Sequence, residues 1–168
     1  MVSPPEQKSC GSTSPLEHGL QLSSSPPCEP ACALAPRLEE LRQRIEYLWR
    51  LRVDMRLEGL DIRLSDALAQ GIYYIVHEAL NNAARHANAV LVCVELVVQD
   101  TVVRLSVCDN GHGFPFHGQY DLAALTALHL GPRMLRERVV SLGGTLTLHS
   151  TASGAHLSIT LPRVRPRG

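Results

Sequence analysis

The sequence predicts an α/β sandwich in which helices cover one face of a mixed, mostly antiparallel sheet. Three observations carry this. From Ser65 to about Ala87 the apolar residues Leu68, Ile72, Ile75, Val76, Ala79 and Ala83 recur at helical spacing. Residues 90–98 and 102–107 are β-branched runs parted by Gln99, Asp100 and Thr101, as in an antiparallel hairpin. Residues 145–149 and 156–161 alternate apolar and polar residues around Thr151-Ala152-Ser153-Gly154, which predicts a second hairpin. At 168 residues, 45% hydrophobic and 19% charged, the chain can bury one core of ordinary size.

The remaining elements follow in chain order. Residues 1–35 are rich in Ser and Pro and have almost no aliphatic periodicity, which predicts a disordered tail. Leu38, Leu41, Ile45 and Leu48 give residues 36–51 one apolar helical face. Val53, Met55 and Leu57 alternate with Asp54, Arg56 and Glu58, a half-buried strand that ends at Gly59. Ser65 is the expected N-cap of the long helix. Residues 110–130 hold three glycines and Pro115 without periodicity, which predicts a long functional loop. Pro132 opens a helix with Leu135, Val139 and Leu142 as its buried stripe, and Gly143-Gly144 ends it. The domain therefore spans residues 36–163, its binding core about 65–162, and residues 164–168 form a basic tail.

Composition excludes several classes of function. Sixteen basic residues balance sixteen acidic ones, so the electrostatic footprint of a nucleic-acid binder is missing. No apolar run approaches the roughly 20 residues of a membrane span, and the first residues lack the pattern of a secretory signal. A cytoplasmic setting with no membrane segment is the expectation. Of the five cysteines, Cys93 and Cys108 sit among valines and are expected to be buried thiols. Cys28 and Cys32 have no second pair of ligands near them, and the histidines show no ligand spacing, so no zinc site is expected. Tyr47 and Trp49 are expected to pack at the edge of the first helix, and at least one of Tyr73 and Tyr74 to join the core.

Two segments carry candidate chemistry. In His77-Glu78-Ala79-Leu80-Asn81-Asn82-Ala83-Ala84-Arg85-His86, helical spacing sets Glu78, Asn82 and either Arg85 or His86 on one face. A carboxylate, an amide oxygen and a cation there could hold hydrated Mg²⁺ and phosphates, or form only a solvated polar face. In Asp109-Asn110-Gly111-His112-Gly113-Phe114, the carboxylate at a strand end could accept from an exocyclic amine, with glycines admitting a flat ligand. The other reading of that segment is a simple turn.

In this order and about 30 residues apart, these segments resemble the nucleotide-binding boxes of the histidine-kinase and Hsp90-like ATPase superfamily, sensor kinases of the nitrate-sensor type above all. IVHEALNNAARHA resembles the N box, CDNGHGF the D-x-G-x-G box and GPRMLRERVVSLGG the closing helix. The resemblance implies a Bergerat-type fold with ATP and Mg²⁺ between the long helix and a lid over residues 115–130. It implies that Asn82 ligates Mg²⁺, that Glu78 orients the attacking group or acts as general base, and that Arg85 and His86 lie near the phosphates. It also implies that Asp109 receives the adenine amino group, with Gly111 and Gly113 shaping that pocket. Of the second glycine box only Gly131 keeps its glycine, Leu128 and Met134 standing where others are usual, and residues 154–156 replace a Gly-rich turn.

The function so implied is the ATP-binding catalytic module of a two-component sensor histidine kinase. The expected partners are a dimerisation and phosphoacceptor histidine domain, supplied separately because no room is seen for that hairpin, and a response regulator. His18, followed by Gly19 and soon by Pro26-Pro27, is a tail residue and no phosphoacceptor. The alternatives are a nucleotide-binding adaptor without turnover and an anti-sigma-type serine kinase.

Overall fold

The computed structural model describes residues 34–163, and the expected tails, with His18, Cys28 and Cys32, lie outside them apart from Leu34 and Ala35. The element order is α1 (Leu34–Trp49), β1 (Arg52–Glu58), α2 (Asp66–Arg85), β2 (Leu91–Val98), β3 (Val102–Asp109), β4 (Gly118–Asp121), α3 (Leu122–Ala127), α4 (Arg133–Ser141), β5 (Thr145–Thr151) and β6 (Gly154–Pro162). The six strands form one sheet in the order β1-β2-β3-β6-β5-β4. Only β1 and β2 are parallel, because α2 carries the chain across between them. Every other neighbouring pair is antiparallel.

The strands bury one face and expose the other. In β2, Val92, Val94, Leu96 and Val98 point inward while Cys93 and Glu95 point out. The long helix α2 lies over the inner face with Ile72, Ile75, Val76 and Leu80 fully buried. Ser65 caps it as expected, its Oγ accepting from Leu68 N–H at 3.3 Å. Helix α1 packs beside α2 through Leu34, Leu38, Leu41 and Ile45. Glu46 Oε1 accepts from Val53 N–H at 2.9 Å and ties α1 to the start of β1.

Four expectations need correction. Leu48 does not continue the α1 stripe; it is exposed near the end of the helix, and Leu51 is buried in its stead. Tyr47 and Trp49 are also exposed, at 86% and 42%, although Arg85 lies over the Trp49 ring. Residues 110–130 are not one loop: β4 pairs with β5, and α3 follows, capped by Asp121 Oδ1 on Ala124 N–H at 2.7 Å. Four residues and six residues are too short to show a period. Cys93 and Cys108 are exposed, because the neighbouring valines take the inward phase and a period of two sends the thiols outward. Of the two tyrosines, Tyr73 packs against the core and Tyr74 is exposed.

The packing makes α2 the element on which stability turns. Ile75→Ala should lower unfolding free energy by about 2–5 kcal/mol and Ser65→Ala by about 1 kcal/mol, read by urea titration.

Candidate functional site

Between α2 and the strands β3 and β6 lies a cavity of about 370 Å³. Its floor and walls are small or apolar: Ala79 and Ala83 from α2, Val107 from β3, Ala155 and Leu157 from β6. Phe114, Pro115 and His117 border it from the segment after β3. Small residues on α2 are what leave the space, since a larger side chain at Ala79 or Ala83 would fill it.

Asp109, the last residue of β3, is half-buried at this cavity. Burial pushes its carboxyl above the usual aspartate value, and backbone donation from Gly111 and Ala155, with His112 nearby, partly offsets that. The Gly111 N–H donates to Asp109 Oδ1 at 2.9 Å, fixing the carboxylate at the strand end. Gly111 is held close by the end of α2: a Cβ there would strike the Ala87 carbonyl, and His112 N–H donates to that same oxygen at 2.9 Å. Gly113 has φ +69, and a Cβ there would strike the Thr151 carbonyl. Both glycines are therefore required by close approach, and at Gly113 by backbone conformation as well.

The polar side chains divide between this cavity and a second groove. Asn82 and His86, one helical turn apart, line the cavity. Asn82 Nδ2 is buried without a hydrogen-bond partner among the described residues, so the amide is free to engage something entering the cavity. Glu78 lies in a neighbouring groove with Tyr74, His77, Met134, Leu135 and Arg138, between α2 and α4. It stands one turn from Asn82 on α2, about 6 Å along the axis. Arg85 is outside both, its guanidinium 5.4 Å from the Trp49 ring centre. Gly131, with φ +71, precedes α4 and does not line the cavity.

The two altered positions of the glycine stretch need no left-handed backbone. Leu128 closes α3 in a right-handed conformation and Met134 lies within α4. The left-handed backbone falls instead at His129 and Gly131. Residues 115–130, expected as a lid, are anchored by the β4–β5 pairing and by Phe116, which stacks on Phe114 and meets Tyr120 edge-on, the ring centres 5.4 Å apart in each pair.

Ser150 went unnoticed in the sequence. It is fully buried in β5, and its Oγ accepts from Phe114 N–H at 2.8 Å, pinning the border of the cavity to the sheet. Its inward phase between Leu148 and Thr151 is the signal that could have found it. Asn110, which the sequence assigns no separate role, accepts through Oδ1 from both Val90 N–H and Leu91 N–H at 3.0 Å.

A profile of the family described as histidine kinase-, DNA gyrase B- and HSP90-like ATPases matches residues 67–165. The chain is 33% identical over 111 residues to the signal transduction histidine-protein kinase/phosphatase UhpB of Salmonella typhimurium, covering 66% of this chain and 20% of that protein. It is 28% identical to the sensor histidine kinase LiaS of Bacillus subtilis, over 70% of this chain and 31% of that one. With the sensor histidine kinase NarS of Mycobacterium tuberculosis the figures are 30%, 63% and 24%. The chain thus spans between a fifth and a third of the length of these relatives. Among solved structures, the ATP binding domain of PrrB from Mycobacterium tuberculosis superposes with a TM-score of 0.56 at 24% identity, covering 77% of this chain and 93% of that one. The histidine kinase domain of a blue-light activated histidine kinase from Erythrobacter litoralis gives 0.60 at 23% identity, covering 77% and 61%. At these identities the likeness speaks to the fold, a two-layer α/β sandwich shared with histidine kinase ATP-binding domains.

Ser150→Ala should leave Phe114 N–H buried without an acceptor and cost about 1–3 kcal/mol. Faster hydrogen exchange at the Phe114 amide, with the far-sheet amides unchanged, is the expected readout.

Proposed function

Since the chain belongs to the histidine kinase-, DNA gyrase B- and HSP90-like ATPase family, whose matched residues 67–165 include every wall of the cavity, we propose that it is the ATP-binding catalytic module of a two-component sensor histidine kinase. Membership of that family implies ATP binding; the orientation of the nucleotide and the roles below are our reading. The observation that carries it is Asp109, a half-buried carboxylate held by backbone donors beside an apolar cavity open to a flat ring.

In this reading the adenine ring lies between Ala79 and Ala83 on the helix side and Val107 and Leu157, paired neighbours in β3 and β6, on the sheet side. Its exocyclic amine donates to Asp109; Gly113 lines the cavity, whereas Gly111 does not and shapes the pocket through the N–H it donates to Asp109. The phosphates run along α2 past Asn82 and His86 toward Glu78. Asn82 lines the cavity, and its amide oxygen would be the atom to hold Mg²⁺, an ion that takes few protein oxygens and completes its shell with phosphate and water, while the unpartnered Nδ2 would be left to donate to a phosphate oxygen. Mg²⁺ would neutralise charge on the phosphate oxygens. Arg85 would need to leave Trp49 to reach the phosphates, and Gly131 gives the turn into α4 its left-handed residue.

The proposed reaction joins the γ-phosphorus to an imidazole nitrogen of a histidine on a separate phosphoacceptor domain, and ADP leaves with the bridging oxygen. Glu78, in the groove between α2 and α4, orients that imidazole and takes its N–H proton. A response regulator would then receive the phosphoryl group. Among the described residues no helix is long and apolar enough to cross a membrane.

Titration calorimetry with ATP and Mg²⁺ tests the reading. Asp109→Asn should weaken binding by about one to two orders of magnitude, through loss of a charge-assisted hydrogen bond. It should not lower thermal stability, because the buried charge is removed while the amide oxygen still accepts from Gly111. Glu78→Ala should leave ATP affinity nearly unchanged and abolish transfer to an added phosphoacceptor domain. Absence of saturable binding by the folded wild-type chain would overturn the proposal.

The raised Asp109 carboxyl also sets a pH dependence. The adenine amine needs the ionised acceptor, so affinity should fall on acidification, beginning at a higher pH than an ordinary aspartate would give. The fold responds in the opposite sense: a raised folded-state pKa means this residue's stabilising contribution is present at low pH and lost as pH rises through that value. Parallel binding and melting curves against pH should separate the two trends, and Asp109→Asn should flatten both.

A further inference from the structure

The outer face of the sheet carries a row of side chains that the cavity does not use. Strand register sets Asp54, Cys93, Cys108, His156 and His149 in successive cross-strand positions from β1 to β5, all of them exposed. At its centre Cys93 and Cys108 stand directly opposite each other in the β2–β3 ladder, both as free thiols. Two backbone bonds fix the phase of that ladder: Gln99 N–H donates to the Val102 carbonyl at 2.9 Å, and Asn110 N–H to the Leu91 carbonyl at 3.2 Å. Counting inward by twos from either end makes Cys93 and Cys108 a hydrogen-bonded pair, whose Cα atoms lie about 5.5 Å apart. A disulfide spans Cα separations of roughly 4.4–6.8 Å.

The row does not suit a metal. No group of three or more His, Cys, Asp or Glu that could hold a metal ion occurs among the described residues. His156 Nε2 is engaged by Ser106 Oγ at 2.8 Å. What remains is chemistry between two thiols.

We propose that Cys93 and Cys108 form a dithiol site that reacts with low-molecular-weight disulfides and closes to a reversible intramolecular disulfide across β2 and β3. Cys93, as thiolate, attacks one sulfur of the small disulfide and expels a small thiolate, leaving a mixed disulfide on Cys93. Cys108, on losing its proton, then attacks Cys93 Sγ, forming the protein S–S bond and expelling the second small thiolate. The two expelled thiolates take up the two protons, so the protein loses two electrons and the small disulfide gains them. Partial burial of the sulfur, with Asp109 and Cys93 beside it, pushes the Cys108 thiol up, which is consistent with the resolving role assigned to it. Directly opposed Cβ atoms stand about 4.5–5.5 Å apart, wider than the 3.5–4.5 Å of relaxed disulfides, so the bond is on the readily reduced side.

The test treats the full folded chain with oxidised glutathione, alkylates remaining thiols and maps tryptic peptides, since Arg104 lies between the two cysteines. The expected product links the peptide carrying Cys93 to the one carrying Cys108, lighter by two hydrogens than the two peptides together, and it is lost on adding reductant. Cys93→Ser should abolish it, and Cys108→Ser should trap glutathione on Cys93. Recovery of both cysteines alkylated, a lasting mixed disulfide in the wild type, or links running only to Cys10, Cys28 or Cys32 would overturn the proposal.

Discussion

Everything in the cavity depends on how α2 lies against the sheet. Ile72, Ile75, Val76 and Leu80 anchor the helix in the core, and Ala79 and Ala83 occupy the face turned toward β3 and β6. Large side chains set the distance between helix and sheet, and the two alanines fail to fill it. The hole is thus a product of packing, supported by buried leucines and valines on either side.

The carboxylate is placed by the same framework. Asp109 ends β3 where the central strands β2, β3 and β6 are paired in register, so its backbone cannot drift. The Gly111 amide turns back onto it, and this turn is possible because Gly111 and His112 rest against the Ala87 carbonyl at the far end of α2. Ser150 holds the following segment from the opposite side. Desolvation raises this half-buried carboxyl, and the backbone donors pull against that rise.

Much of this was legible in the sequence because its signals are periodic or conformationally demanding. The 20-residue helix α2 and the two hairpins have clear periods, and Gly111 and Gly113 mark places where no Cβ fits. The outward phase of Cys93 and Cys108 was not legible, since a run of valines and cysteines reads as apolar in either register. Nor were β4 and α3, whose existence depends on β5 as a template and on the Asp121 cap. Helical spacing correctly set Asn82 and His86 on one wall, yet it could not show that α4 would enclose Glu78 separately, or that Arg85 would settle on Trp49. Those outcomes are tertiary, and a single helix does not encode them.

The separation of Glu78 from the cavity has its own physical origin. Helix α4 docks against α2 where Gly71 lacks a side chain, and Leu142 fills that place; any Cβ on Gly71 would meet the Leu142 methyl groups. Farther along, Arg138 lies 4.8 Å from the Tyr74 ring centre and lines the groove that holds Glu78. The Asp109 end is therefore fixed by the sheet, and the Glu78 end by a helix whose start hangs on the left-handed Gly131. A shift of α4 would move the walls around Glu78 without disturbing Asp109. The surroundings of Asp109 and of Glu78 can therefore vary independently, so in the proposed reading nucleotide recognition and phosphoryl transfer would be separately adjustable.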